Sequence, residues 1–580
     1  MTVWQFRNRC SALFALSIVV APMLSFAQAK AQPQSVLASK QVTETDLFNE
    51  LKKLNAVSDQ DERMKMLIHL VEDRPDLVRV DGGGANIAFM ARPYIKANAG
   101  DAKKLEAWHD IFVPLVQKTL SGEDYAISEF DYRLAGFLLD NHSLLGQAAQ
   151  LAQQAVQNFH EDDVVARQRL LHGAQQTSES TFRSDASEHF HRDLSVRYSL
   201  LARLQMETGQ DRAALESFDK ALKLHSDMQA YMGESALQEK QGDKDRALAL
   251  LEDAYLTGHM GATDIEHMRS LYRTLHPGSS DSQLESILDA KYSSTFNNPV
   301  KFTTYSPGTT LSSRTVLAEF FTGAGCEPCM SPDLAFDAAL QRYTRGELVL
   351  LVHHDNAPAP DPLANPVTDD RNKYYATGGG TPHLFLDGKA TRLAEGLPSH
   401  AQQSADDLFA DVEKELAVAT DASVKVNAVR HGDRVDVTAH VQVPANSIGR
   451  KLHIDLIEKE ISYSGENTLR IHPMVVRATA QPTESGSGFD IPASGDFDVQ
   501  YTFDLPKIEA TNTAYYDSYI ESISKRSNGM LSVSYREKRA VINPAKLAVA
   551  AFIQIEDDKQ VLQAAFSDVR EGNPVATDRR

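Results

Sequence analysis

The chain has 580 residues, with 59 Lys and Arg against 79 Asp and Glu and a formal charge of −20 at pH 7. That balance argues against nucleic acid as a partner, because phosphate binding wants a basic face. Three cysteines are too few for a disulfide framework, so ordinary hydrophobic cores must hold the fold together.

Met1 to Arg9 carries Arg7 and Arg9, Cys10 to Phe26 is almost wholly apolar or small, and Ala27-Gln28-Ala29 offers small residues for cleavage. Pro22 breaks a helix near the end of the apolar run, and the run is slightly short for a spanning helix. Residues 1–29 therefore read as a signal peptide, removed together with Cys10. The expectation is a periplasmic or secreted chain with no membrane segment after cleavage, in a compartment where disulfides form. Roughly 550 residues remain, enough for three or four domains.

Residues 30–297 read as a helical region. Tyr198, Leu201, Ala202, Gly209, Ala214, Phe218 and Ala221 match the helix-turn-helix spacing of a tetratricopeptide repeat. Tyr231, Gly242, Ala247, Leu251 and Ala254 repeat it 33 residues later. Two copies cannot bury a solenoid core, so helices near 103–121 and 143–158 are expected to stack on them. A generic α-hairpin array is the competing reading. Gly82-Gly83-Gly84 and Thr177 to Asp185 lack periodicity and read as loops. His189 and His191 point to different faces of a predicted helix, which suits surface residues better than a metal site.

A Ser-, Asn- and Pro-rich stretch from Pro277 to Pro307 marks a boundary, and residues 298–418 form the next domain. Arg314 to Phe321 reads as a strand and leads into Cys326-Glu327-Pro328-Cys329. Leu334, Phe336, Ala339 and Leu340 give helical spacing, and Glu347 to His353 is a strand buried on both faces. A Pro-rich loop from Ala357 to Pro366 precedes a short helix at Thr368–Tyr375. Gly378-Gly379-Gly380-Thr381-Pro382 opens a strand at His383–Leu386, with Asp387-Gly388 turning it onto Thr391–Leu393. A helix from Ser399 to Leu416 closes the domain.

Beyond Ala419 polar and apolar residues alternate, as at Val424, Val426, Ala428 and Val435, Val437, Ala439, Val441 around His431-Gly432-Asp433. Further strands at Leu452–Ile457, Val475–Ala478, Phe497–Phe503, Leu547–Ile555 and Val561–Phe566 make residues 419–572 an antiparallel, immunoglobulin-like β-sandwich without a disulfide. Residues 573–580 read as a disordered tail. The fold class expected is thus multidomain α+β: an N-terminal helical repeat array, a central α/β domain and a C-terminal β-sandwich.

Cys326 and Cys329 are the cysteines left in the mature chain. Cysteines this close staple almost no loop, so a purely structural bridge gains little. Half a zinc site is the other reading of the spacing, but no second Cys-x-x-Cys follows. The dithiol after the first strand, with Gly-Thr-Pro about fifty residues later, resembles the exported group of thioredoxin-fold proteins over roughly residues 300–418. The resemblance implies a cis peptide before Pro382, with Thr381 beside it, packed against the dithiol. It also implies that Glu319 stands near where the family keeps a buried acid that moves the resolving proton; a solvated edge carboxylate is the alternative. One departure is that Gly325 replaces the tryptophan that the family carries before its first cysteine.

The chemistry expected is thiol–disulfide exchange with protein substrates, with a redox-partner protein and no bound cofactor. Cys326 is the exposed attacker and Cys329 the resolving thiol. Ser331-Pro332-Asp333 is a plausible helix start, and a start nearer Cys329 gives Cys326 more help from the helix dipole. Glu327 beside the nucleophile disfavours its thiolate and points to a reductase or isomerase. The alternatives are a non-enzymatic protein-binding scaffold, or a copper- or zinc-handling metallochaperone in which His353, His354 or His383 joins the sulfurs.

Overall fold

The computed structural model describes residues 43–172, 178–306, 313–446, 449–482, 488–527 and 533–572. The expected signal peptide at 1–29 and the expected tail at 573–580 lie outside the described residues. The chain is a multidomain α+β protein, with a helical N-terminal region, a mixed α/β centre carrying the cysteine pair, and a β-rich C-terminal region. Its contacts group into two units: the described residues of Met1–Gln176 with Ala186–Leu237, and those of Thr177–Asp185 with Gln238–Arg580. No helix among the described residues is long and apolar enough to cross a membrane.

The first unit is built from helices whose apolar stripes converge on Trp108, Phe112, Phe130 and Leu134, with Trp108 stacked on Phe112 at 5.3 Å. Both helices expected to stack on the repeats are present, at Ala102–Thr119 and Leu145–Gln157. The first helix-turn-helix joins Glu179–Glu207 to Asp211–Leu224 through Gly209 at φ 76°, where the Gln210 N–H returns to Gln205 O at 2.8 Å. The second, whose chain passes from the first unit into the second at Leu237, joins Met228–Gln241 to Lys244–Leu256 through Gly242. Gly233 faces Phe218 so closely that a Cβ there would fall 2.2 Å from the ring. Two expected loops are helical instead. Residues 179–185 open the Glu179–Glu207 helix, and Gly83-Gly84 open Gly83–Ala97 because a Cβ on either would strike a backbone oxygen, of Val78 at 2.1 Å or Ala126 at 2.4 Å.

In the second unit the strands are β1 (Val316–Thr322), β2 (Leu348–His354), β3 (His383–Leu386), β4 (Lys389–Thr391), β5 (Ser423–His431), β6 (Arg434–Gln442), β7 (Arg450–Ser462), β8 (Ile471–Thr479), β9 (Phe489–Asp490), β10 (Asp496–Asp504), β11 (Leu547–Ile555) and β12 (Val561–Glu571). They follow one another in the order β10-β6-β5-β12-β11-β7-β8-β2-β1-β3-β4, with β9 on β7. β1 and β2 are parallel, β3 is antiparallel to β1, and the centre meets the C-terminal strands where Val352 pairs with Val475.

The two faces of β1 and β2 have different covers. Ala318, Phe320, Leu350 and Val352 pack under the Met330–Arg342 and Ala401–Leu416 helices. Leu317, Val349 and Leu351 pack against Ile457, Val476, Ala550 and Phe552 of the C-terminal strands. This double cover is why both strands read as continuous apolar runs. The Asp387-Gly388 turn is clamped into the same seam. Buried Asp387 holds Arg314 at 2.6 Å, and Gly388 at φ 82° abuts Lys559 O, which a Cβ would meet at 1.8 Å.

The hairpin strand expected at Thr391–Leu393 is Lys389–Thr391. The Leu505–Arg526 helix, 22 residues long, was not anticipated among the C-terminal strands, although Asp504 caps it by accepting the Lys507 N–H and a proline stands in its first turn.

Candidate functional site

Cys326 and Cys329 are joined by a disulfide, their Cα atoms 5.3 Å apart. The loop bearing them leaves the end of β1 and tightens into a 3₁₀ turn at Glu327–Cys329, where the Cys329 N–H reaches Cys326 O at 3.2 Å. The helix then begins at Met330 with Cys329 as its N-cap, the start nearer Cys329 rather than the one at Ser331. Ser331 is spent elsewhere: its hydroxyl donates to Ala394 O at 2.7 Å and its N–H to Gly396 O at 3.1 Å. The pair therefore sits at the positive end of the helix dipole, which favours a thiolate.

Cys326 was expected to be exposed, and it is not: it retains 2% of its accessible surface and Cys329 none. Two segments cover the approach. Residues 463–469, between β7 and β8, lie on the loop before Cys326. The Asn467 N–H donates to Ala324 O at 2.9 Å, and a Cβ on Gly465 would fall 2.5 Å from that same oxygen. Glu466 stands over Gly325, its Oε2 3.0 Å from where a Cβ would be, so the position before Cys326 is covered from across the fold.

The second cover runs from Asn356 to Pro362, with Ala357 O set against Gly323. Asn356 holds it in shape by accepting the Asp361 N–H at 2.9 Å and the Tyr535 hydroxyl at 3.0 Å. Tyr516 of the Leu505–Arg526 helix donates to Pro362 O at 2.5 Å.

Asp361 is the group that sequence reasoning missed. Its Oδ2 accepts the Ala324 N–H at 2.6 Å, two residues before Cys326, and also faces His354 Nδ1 at 2.8 Å; its Oδ1 accepts the Leu363 N–H. Burial pushes this carboxyl up, but the charge and hydrogen bond of His354 and the two N–H donors outweigh it and hold it below the usual range. A lone acid in a proline-rich loop carries no periodic signal that would have marked it.

The Thr381–Pro382 peptide bond is cis. His383 pairs with Phe321, which puts Pro382 level with Thr322, at the end of β1 from which the cysteine loop departs. Glu319 lies elsewhere. Strand alternation turns it to the opposite face of β1 from the Met330–Arg342 helix, where it is fully buried. Arg371 donates to both of its oxygens at 2.8 and 2.7 Å, and the Tyr375 hydroxyl donates to Oε2. Burial raises its pKa, yet Arg371 and His353, the latter at 3.6 Å, hold the carboxyl well below the ordinary range. It is neither a solvated edge carboxylate nor on the dithiol's side of the sheet.

His353 is stacked on Phe321 at 4.8 Å beside Glu319, His354 is committed to Asp361, and part-buried His383 opens β3. Among the described residues no group of three or more His, Cys, Asp or Glu side chains is arranged to hold a metal ion.

No family model matches the chain, and no curated protein matches it. Among solved structures, HBP35 of Porphyromonas gingivalis is similar at 15% identity over 46% of this chain and 79% of that one, with a TM-score of 0.33. A likeness at that level leaves the site to be read from its own geometry.

Proposed function

We propose that this protein is an exported thiol–disulfide oxidoreductase that acts as a reductase or isomerase on protein substrates. What carries the reading is the cysteine pair itself: a disulfide closing across two residues at the start of a helix, a bridge whose stapling value is small and which stands at the positive end of the helix dipole. In the reduced form the Cys326 thiolate attacks a substrate disulfide, forms a mixed disulfide and releases one substrate thiolate. The Cys329 thiolate then attacks Cys326 Sγ, releases the second substrate thiol and leaves the Cys326–Cys329 disulfide. Two electrons pass to the substrate, and a redox-partner protein must return them. Pro382 and Thr381 would line the substrate's approach, while exposed Glu327 disfavours the thiolate and biases the couple toward reduction. The helical repeats and the C-terminal strands would recruit the substrate, and removal of residues 1–29 would place the chain in the periplasm or outside the cell.

The burial of Cys326 favours a second reading, a protein-binding scaffold that keeps the disulfide closed. Trapping separates the two. With Cys329→Ser, the resolving step is lost, and reduced protein mixed with an oxidised substrate accumulates a mixed disulfide that dithiothreitol releases. Absence of that adduct, with Cys326 shown to be free and reduced, supports the scaffold.

A further inference from the structure

A cavity of about 240 Å³ lies between the Asp281–Thr295 and Met330–Arg342 helices and the ends of β2 and β8. Its apolar walls include Tyr292, Phe320 and Phe336, and its polar groups include Asp333, Asp337 and His354. Asp333 follows Cys329 by four residues on one helix, so it stands on the same side one turn along.

Asp333 and Asp337 bring carboxyl oxygens to the cavity. Asp333 receives one hydrogen bond, from the Thr322 hydroxyl at 3.1 Å, and neither Asp333 nor Asp337 forms a salt bridge among the described residues. His354 retains 1% of its surface; its Nδ1 faces the Asp361 carboxylate at 2.8 Å, and its Nε2 has no hydrogen-bond partner among the described residues. Arg470, between the lining residues Leu469 and Ile471, is engaged by Glu285 at 2.8 Å and Asp289 at 2.7 Å.

Two carboxyls beside aromatic faces make an environment complementary to a donor that carries positive charge. We propose that this cavity binds a protonated amine or guanidinium group, held by Asp333 and Asp337 with its carbon chain against Tyr292, Phe320 and Phe336. The source is either a small free amine or a lysine or arginine side chain of a polypeptide. The proposal does not depend on disulfide exchange.

Burial pushes both carboxyls up, that of Asp333 well above its usual range. Binding a cation therefore ionises them and releases protons. The other titratable groups against the site are Asp361, paired with His354, and His472, which burial and the neighbouring His354 push down to about 3.

The test is calorimetry on the purified chain with agmatine and cadaverine, and with 1,5-pentanediol as the uncharged control. At least one cation is expected to bind with a Kd below about 1 mM and with proton release that depends on buffer, while the diol does not bind. The double variant Asp333→Asn, Asp337→Asn keeps the shape and should weaken binding about tenfold or more. Its circular dichroism and melting temperature establish that it is folded. An unstructured peptide with internal arginine that binds equally well identifies a side-chain site, and binding of the free amines alone identifies a small-molecule site. Failure of both cations to bind, equal binding of the diol, or undiminished binding in the folded double variant overturns the proposal.

Discussion

Arg371 grips Glu319 through two hydrogen bonds, at 2.8 and 2.7 Å, on the face of β1 turned away from the helix that follows the cysteines. Both side chains are buried, and Gln554 of β11 reaches the same cluster by accepting from Arg371 at 3.3 Å. The pair thus ties the central strands to the C-terminal ones, and its role is structural.

Glu319→Gln leaves the Arg371 guanidinium buried without its counter-charge, and loss of one partner of such a pair costs about 3–5 kcal/mol. A large drop in melting temperature with an unchanged reduction potential is expected. The folded carboxyl is held below its unfolded value, so its contribution is present above about pH 4 and is lost as pH falls further. The variant should accordingly lose the part of the acid-induced destabilisation that Glu319 contributes. A shift in potential without loss of stability would return Glu319 to the dithiol.

The cover over Cys326 gives a kinetic prediction. In Gly465→Ala the added methyl would sit 2.5 Å from Ala324 O, so residues 463–469 must move off the cysteine loop. Reduction of the disulfide by dithiothreitol, followed by thiol labelling, should run several-fold faster than in the parent. An unchanged rate means that this segment does not limit access.

Asp131 in the helical unit supplies a pH signature. It is fully buried, one oxygen accepts from Gln117 at 2.8 Å, and the other has no partner among the described residues. Burial raises its pKa to about 7. A carboxyl whose folded value is raised favours folding when protonated, so its contribution is full below about pH 4 and disappears as pH climbs through 7. Melting temperature should fall between about pH 4 and about pH 7 and level off above that. Asp131→Asn, with the same shape and no charge, should flatten that fall; a profile identical to the parent would exclude Asp131 as its source.

Much of the centre was legible because its signals are local. Apolar runs such as Leu348–His354, the three-residue cysteine spacing and the Asp387-Gly388 turn each constrain a few neighbouring residues, and the helical hairpins announce themselves through Gly209 and Gly242. What escaped depends on distant partners. Nothing near Cys326 indicates that Gly465 and Asn467 will lie over it, nor that Val475 will pair beside Val352. Glu319 was placed by its position on the strand, but its face follows from alternation and its partner from a helix 52 residues later. The Leu505–Arg526 helix is the one omission that the sequence could have prevented, since Asp504 and Pro506 mark its start.

The central claim is that Cys326 and Cys329 form a reversible couple on the reducing side. Equilibrating the purified protein in glutathione buffers and trapping free thiols measures this directly. A single two-electron transition near −270 mV is the result predicted, and at that potential the protein can reduce disulfides if a donor recharges it. A transition near −120 mV would make it a disulfide donor, and no reversible transition at all would contradict the redox account.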